Sequence, residues 1–385
     1  MTSSQAIRGF SGPLLFSHGF RAFFLFSGLW AGLAMILWIF SLAIGLDIPS
    51  AMAGVDWHMH EMVFGYASGV IAGFLLTAVP NWTGRMPITG WPTAGLIGLW
   101  VLGRIVIFFS LYLPLWAPLV VEGSFLPVFG AVIGREIIGG QNRKNLKILL
   151  IIALLAAANI WFHVQSLGGD AYEGEAIRAG VALIIMLISV IGGRVVPSFT
   201  RNWLARQGRH PLPVPFNSFD RLTLALSALS LVGWLVFPDA LAAHLALVFC
   251  GLLHLVRLGR WRGIQTLREP MVWVLHMGYL FVPLGFLMAG LQAWLPDYLS
   301  PAAIPHAWTS GAIGTMTIAM MTRASLGHTG RPVTATPPIL FISLSVIGAT
   351  LLRMGAEFFP ASTGLLHGAG TLWILAFGLF VALYL

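Results

Sequence analysis

Charge is scarce in this chain. Only 9% of its 385 residues are Asp, Glu, Lys or Arg, against roughly 25% in a soluble domain, so it cannot clothe a water-facing surface. Cysteine is scarcer still: Cys250 stands alone. One thiol excludes an intrachain disulfide, a Cys-pair zinc site and a Cys-ligated iron–sulfur cluster. No cleavable leader is expected, because the first apolar run, 23–45, is long enough to span and no small-residue cleavage pattern follows it. The formal charge of +8 does not indicate a nucleic-acid partner, since no soluble basic domain carries it.

What the chain has is apolar surface. Hydrophobic residues make up 58% of it, and mean hydropathy is +0.87. A spanning helix needs about 20 mostly apolar residues. Twelve runs qualify, near 23–45, 58–79, 94–113, 115–134, 147–167, 176–197, 219–237, 241–258, 270–291, 302–322, 337–356 and 363–385. The expected fold is therefore all-α, a polytopic integral membrane protein with a single transmembrane domain over 1–385. Pro-Asn at 80–81, Pro-Asp at 238–239 and 296–297, and Glu-Pro at 269–270 punctuate the helix ends.

The charges orient these helices. Odd-numbered gaps carry Asp47, Asp56, Asp170, Glu173, Glu175, Asp239 and Asp297, with Arg178 as their only base. The N-terminus, the even-numbered gaps and their flanks hold 18 of the 21 Lys and Arg, from Arg8 and Arg21 through Arg85, Arg135, Arg143, Arg206 and Arg257 to Arg331. Short basic loops stay in the cytoplasm, so both termini are expected there, with the basic face against anionic lipid. Aligning Thr83, Thr200 and Thr322, each just after a helix core, suggests three four-helix pseudo-repeats at offsets of 117 and 122 residues.

Ionisable groups inside a membrane cost about 2.5–3.5 kcal/mol each at a helix centre and are functional candidates by default. Trp57-His58-Met59-His60-Glu61-Met62 places two imidazoles and a carboxylate at the mouth of the second helix. On a helix, His58 and Glu61 share a face; on extended backbone, His58 and His60 do. His163, His244, His306, His367 and Glu122 are expected at the same outer depth. His18, His210, His254, His276 and His328 are expected on the cytoplasmic side. A bilayer core of ~30 Å separates the two sets, so they cannot all serve one centre. His163 shares a face with Asn159, and His306 with Thr309 and Ser310, neighbours able to orient an imidazole through its second nitrogen. His244 and His367 read as interfacial anchors. Trp273, His276 and Tyr279 share a face of the ninth helix. Arg104 and Arg353 lie inside helices, where Glu122 and Glu357, or the propionates of a haem, could pair with them.

Several segments together resemble the NnrS family of bacterial membrane proteins. They are Gly19-Phe20-Arg21 with Phe23-Phe24, the Trp57–Met62 segment with Phe64-Gly65, Pro80-Asn81-Trp82-Thr83-Gly84, and Gly192-Gly193-Arg194-Val195-Val196-Pro197. Leu275-His276-Met277-Gly278-Tyr279 and the blocks from His306 through Gly311–Gly314 and Met321-Thr322-Arg323 to Ser325–Pro332 complete the set. The resemblance implies haem b and copper, the bacterial inner membrane, and a part in the nitric oxide response and denitrification. With residue type and depth, it makes His58, His60, His163 and His306 the metal candidates. His276, His328, Arg21, Arg104 and Arg323 become cofactor-binding candidates, with His276 and His328 serving haem ligation or electron entry. Glu61, on the face of His58, is the catalytic candidate, expected either to orient that imidazole or to carry protons toward the metal.

The first functional expectation is a haem–copper protein that binds nitric oxide and removes or reduces it, with a quinol or small redox protein as donor. Turnover is left open. The alternatives are a proton-coupled twelve-helix transporter and a non-enzymatic protein that relieves nitrosylated iron.

Overall fold

Apolar segments in lipid must pair every backbone N–H and C=O internally, and this chain does so with helices; no strand occurs among the described residues. The computed structural model describes residues 12–168, 171, 174–299, 303–359 and 362–384. Arg8, Asp170 and Glu173, which enter the charge count above, lie outside the described residues, as do the ends at 302 and 385 of two expected spans.

Among the described residues, eleven helices are long and apolar enough to cross a membrane. In chain order they begin with α1 (Gly19–Ile44), α2 (Gly54–Thr83), α3 (Trp91–Phe108), α4 (Trp116–Gly139), α5 (Arg143–Ser166) and α6 (Glu175–Arg206). They continue with α7 (Ser218–Val236), α8 (Leu241–Gly259) and α9 (Pro270–Leu291). The tenth expected helix, α10, is present as three consecutive pieces, Ala303–His306, Ala307–Gly314 and Thr315–His328. It is not among the eleven, because His306, Thr309, Ser310, Thr315, Thr317, Thr322 and Arg323 lower its hydropathy. The last two are α11 (Pro337–Gly355) and α12 (Thr363–Tyr384). The chain is thus a polytopic all-α membrane protein, as expected.

Where the sequence suggests one transmembrane domain over 1–385, the structure groups the helices into two compact units. The first runs to Gly180 and takes the chain from Phe380 onward; the second is Val181–Leu379. In the first unit α2 is central, packing on α1 and α4. Its glycines explain why. Gly65, Gly69 and Gly73 form a stripe at spacing four: Gly65 lies under the Arg104 guanidinium, Gly69 under Ser27 and Trp100, and Gly73 under Phe23 and Phe24. Small residues at this spacing let membrane helices approach closely. In the second unit α9 packs on α8 and α10, with Gly251 against Leu287 and Gly290 against Val248.

Two helices leave the α register. α2 widens into a π turn over Glu61–Ala67, immediately after His60, and α10 does the same over Ala307–Gly314, immediately after His306. π turns are rare and concentrate at functional sites. The two begin 246 residues apart, and Thr83-Gly84-Arg85 returns as Thr329-Gly330-Arg331 at the same offset. Both glycines are left-handed, at φ 70° and 72°. The structural counterpart of Thr83 in the third block is therefore Thr329. The expected alignment with Thr322 is seven residues out of step, because a threonine match alone does not see the turn.

Candidate metal centre

His60 and Glu61, where the π turn begins, both keep helical backbone angles, so their side chains leave the helix roughly 100° apart. Both are fully buried and bend together, His60 Nδ1 meeting Glu61 Oε1 at 2.9 Å. The widened turn also loosens the Phe64 and Gly65 carbonyls. Ser68 Oγ donates to both, at 2.9 Å to Gly65, and Trp100 Nε1 donates to the Gly65 carbonyl at 3.0 Å. These bonds pin the turn.

Around this pair the first unit assembles a polar cluster. Arg104, on α3, forks between two carboxylates, Nη1 to Glu61 Oε1 at 2.7 Å and Nη2 to Glu122 Oε1 at 2.5 Å. Its guanidinium also lies over the Trp100 ring, 5.7 Å from the centroid. Asn159, on α5, donates to Glu122 Oε2 at 2.8 Å, which turns its carbonyl oxygen toward His60 Nε2 at 3.2 Å. His163, one turn further along α5, places Nε2 at 2.9 Å from Glu122 Oε2. All of these side chains are buried.

Two features point to a cation. Both ring nitrogens of His60 face acceptors: Glu61 Oε1 on one side, Asn159 Oδ1 and, at 3.5 Å, Glu122 Oε2 on the other. A neutral imidazole can donate from only one nitrogen, so Nε2 calls for a proton or a metal ion. The charges agree. Without His60, two carboxylates stand against one guanidinium, and the remaining negative charge is balanced either by a second proton on His60, paired with Glu61 and Glu122, or by a metal ion.

The ligand atoms of His60, Glu122 and His163 lie within 4.8 Å of one another. Metal bonds of about 2.0–2.2 Å hold neighbouring ligand atoms about 3–4 Å apart, so small side-chain rotations close the site. Two imidazoles and one carboxylate suit copper, zinc or iron. The site residues fit a single first-row metal ion.

The other candidates lie elsewhere. His58 stacks on Trp38 at 4.7 Å and is half-buried. His306 belongs to the second unit, half-buried, and Ser310 beside it bonds Thr350 at 2.9 Å. Neither is in the cluster. His276 Nε2 meets Thr200 Oγ1 at 2.7 Å, and its buried Nδ1, which has no hydrogen-bond partner among the described residues, lies against Gly263. His328 is exposed at the end of α10. Arg21 lies over Phe20 at 5.8 Å and Arg323 over Phe199 at 3.7 Å. The carboxylate pairings are the ones realised inside the helices, Arg104 with Glu122 and Arg353 with Glu357.

A second buried network escaped the sequence reading. Arg257, counted above with the basic flanks, is fully buried in α8 and pairs with Asp220 at 2.9 Å. Arg257 Nη1 donates to the Tyr279 hydroxyl at 2.7 Å, so that hydroxyl's proton is directed to His254 Nδ1 at 2.9 Å. His254 Nε2 then donates to Ser227 Oγ at 2.9 Å, and Ser227 to the Thr223 carbonyl at 2.7 Å. Gly193 lies directly under the Arg257 guanidinium, which accounts for one glycine of the Gly192-Gly193 motif. The signal was present as a spacing, His254 with Arg257 on α8 and Asp220, Thr223 and Ser227 on α7, the helix before it.

A profile of the NnrS protein family matches residues 14–385, nearly the whole chain. The chain belongs to the NnrS family. Membership suggests a role in the nitric oxide response and associates the chain with metals. No curated protein matches it. Within this NnrS chain, the Trp57–Met62 and Phe64-Gly65 segments that carry the likeness are those that build the π turn and the cluster.

Gly65→Ala is expected to disturb this centre directly. A Cβ there would collide with Arg104 Nη1 and come within 3.0 Å of Glu61 Oε2, an overpacking that costs about 1–3 kcal/mol. Thermal unfolding in detergent should show the loss, while Gly95→Ala, where a Cβ meets open space, should not. Equal stability of the two variants would rule out the close approach.

Proposed function

We propose that this chain is a protein of the bacterial cytoplasmic membrane, both termini cytoplasmic, that binds copper through His60, Glu122 and His163 and acts there on nitric oxide. One observation carries the reading: three metal-competent ligands converge in a buried cluster, their ligand atoms within 4.8 Å of one another. Nitric oxide is small, neutral and soluble in lipid, so it reaches such a site without a polar channel. Copper, when bound, supplies a redox-active centre for that molecule.

The protein's own groups divide the remaining work. Arg104 holds both carboxylates in place. Asn159 orients His60 by occupying one acceptor position of Glu122. Glu61 has a free oxygen, Oε2, with no hydrogen-bond partner among the described residues, and can hold a proton there beside the metal ligands. Electrons would come from a membrane quinol or a small redox protein. Haem b enters this reading through the family alone, and no role of a residue depends on it.

A second reading, proton-coupled transport, is favoured by the buried Asp220–Arg257–Tyr279–His254 chain, since intramembrane ionisable networks also carry protons in transporters. One measurement separates the two: metal and haem content of the detergent-purified protein, with a reduced-minus-oxidised spectrum and nitric oxide consumption under a quinol or ferrous donor. Bound copper and donor-dependent consumption support the proposal. Metal-free protein of normal fold would sink it and leave transport. Metal-loaded protein that consumes no nitric oxide would reduce the proposal to binding alone. Glu61→Gln should retain copper and lose most consumption if Glu61 handles the proton; unchanged consumption would remove that role.

A further inference from the structure

The Pro80–Gly84 motif is used neither by the metal cluster nor by the buried networks. It shapes a second site. α2 ends there with Gly84 in the left-handed conformation, φ 70°, and Asn142 Nδ2 ties the turn to the end of α4 by donating to the Trp82 carbonyl at 2.6 Å. Between this turn, the start of α3 and the last turn of α4 lies an open cavity of about 580 Å³, lined by Gly84–Thr89, Pro92, Arg135 and Glu136.

The cavity is positively charged. Arg85 Nε donates to Glu136 Oε2 at 2.6 Å, and Arg135 Nε to Glu136 Oε1 at 2.9 Å. One carboxylate thus holds two guanidiniums at the rim and neutralises only one of them. Each guanidinium keeps further N–H donors beyond those given to Glu136. Pro92 places the N-terminus of α3, an 18-residue helix, at the same cavity, adding its partial positive charge. The surroundings repeat the sign: Arg143, Lys144 and Lys147 are exposed at the same end of the first unit. Trp91, 88% exposed beside the cavity, is the kind of residue that anchors helix ends at the headgroup level of a bilayer.

We propose that this cavity binds the phosphodiester headgroup of an anionic phospholipid. The shared chemistry is a phosphate oxyanion read by two arginine forks. A lipid is the occupant because the cavity opens at the ends of membrane helices, beside an interfacial tryptophan, where acyl chains can continue along the apolar helix faces. Basic pockets between transmembrane helices bind anionic headgroups in this way. The assignment does not depend on the copper reading, since it uses other residues.

Native mass spectrometry of the full-length protein in detergent tests it, with added phosphatidylglycerol, phosphatidylcholine or inorganic phosphate. Phosphatidylglycerol should be retained at least about tenfold better than phosphatidylcholine, and millimolar phosphate should not displace it. Arg85→Gln with Arg135→Gln should abolish the preference. Arg135→Gln alone, at a side chain 69% exposed and so outside the packed interior, should weaken it several-fold. Equal retention of the two lipids, or a preference that survives in the single and double variants, overturns the proposal. Phosphate binding without lipid preference overturns the lipid as occupant.

Discussion

His163→Ala and His60→Ala, each purified from the membrane, are expected to carry less than a tenth of the copper bound by the parent. Each removes one of three ligands, and even losses behind the ligands cost about 10–100-fold in metal affinity. His163→Ala is the cleaner variant, because His163 hydrogen-bonds Glu122 and packs edge-on against the His60 ring at 5.0 Å, so its loss leaves the Arg104 fork in place. His58→Ala is the control: two residues from His60, it stacks on Trp38 instead, so it should keep its copper. Metal analysis by mass spectrometry of monodisperse protein decides it. Full copper in both His60→Ala and His163→Ala, or equal loss in His58→Ala, would place the metal elsewhere.

Arg104→Leu is expected to give the largest loss of stability of any single substitution in the first unit. The leucine leaves Glu61 and Glu122, both buried, without their shared cation, and breaking a buried pair from one side costs about 3–5 kcal/mol. For a chain of this size that corresponds to a fall in Tm of about 4–6 °C. Arg104→Lys should recover only part of it, since an ammonium is a point charge and cannot fork between two carboxylates. Arg353→Leu provides the comparison. Its pair with Glu357 is one helical turn apart and partly exposed, at 21% and 19%, so the loss should stay below about 1 kcal/mol. Thermal unfolding in one detergent and buffer checks all three. Equal shifts for Arg104→Leu and Arg353→Leu would mean that the cluster is not the dry, charged site described.

Much of the architecture was legible because the membrane imposes a simple rule. A run of about 20 apolar residues has few options other than a helix, and all twelve expected helices are present. The tenth was harder to recognise by hydropathy, since it is the one most interrupted by polar side chains. The block repeat was visible only in outline. Its true offset, 246 residues from the first block to the third, emerged when the π turns and left-handed glycines could be matched.

The candidate site was half legible. Residue type singled out His60, Glu61, Arg104, Glu122 and His163, and helical spacing put Asn159 beside His163. Which of these converge depended on how the helices pack. Arg104, Glu122, Asn159 and His163 come to His60 and Glu61 from three other helices, while His58, which ordinary periodicity sets with Glu61, stacks on Trp38. Arg257 shows the converse. By sequence it sits where cytoplasmic bases sit, at the end of an apolar run, but Asp220 lies opposite it and glycine clears its path, so it is buried.

By itself, then, the sequence determined the membrane solvent, the helices and the inventory of groups that can bind a metal, because these follow from composition and local periodicity. Only the tertiary structure decided that His60, Glu122 and His163 meet, that Arg104 joins two carboxylates, and that His58 turns to a tryptophan instead. Those outcomes depend on contacts between helices far apart in the chain, which local propensity does not encode.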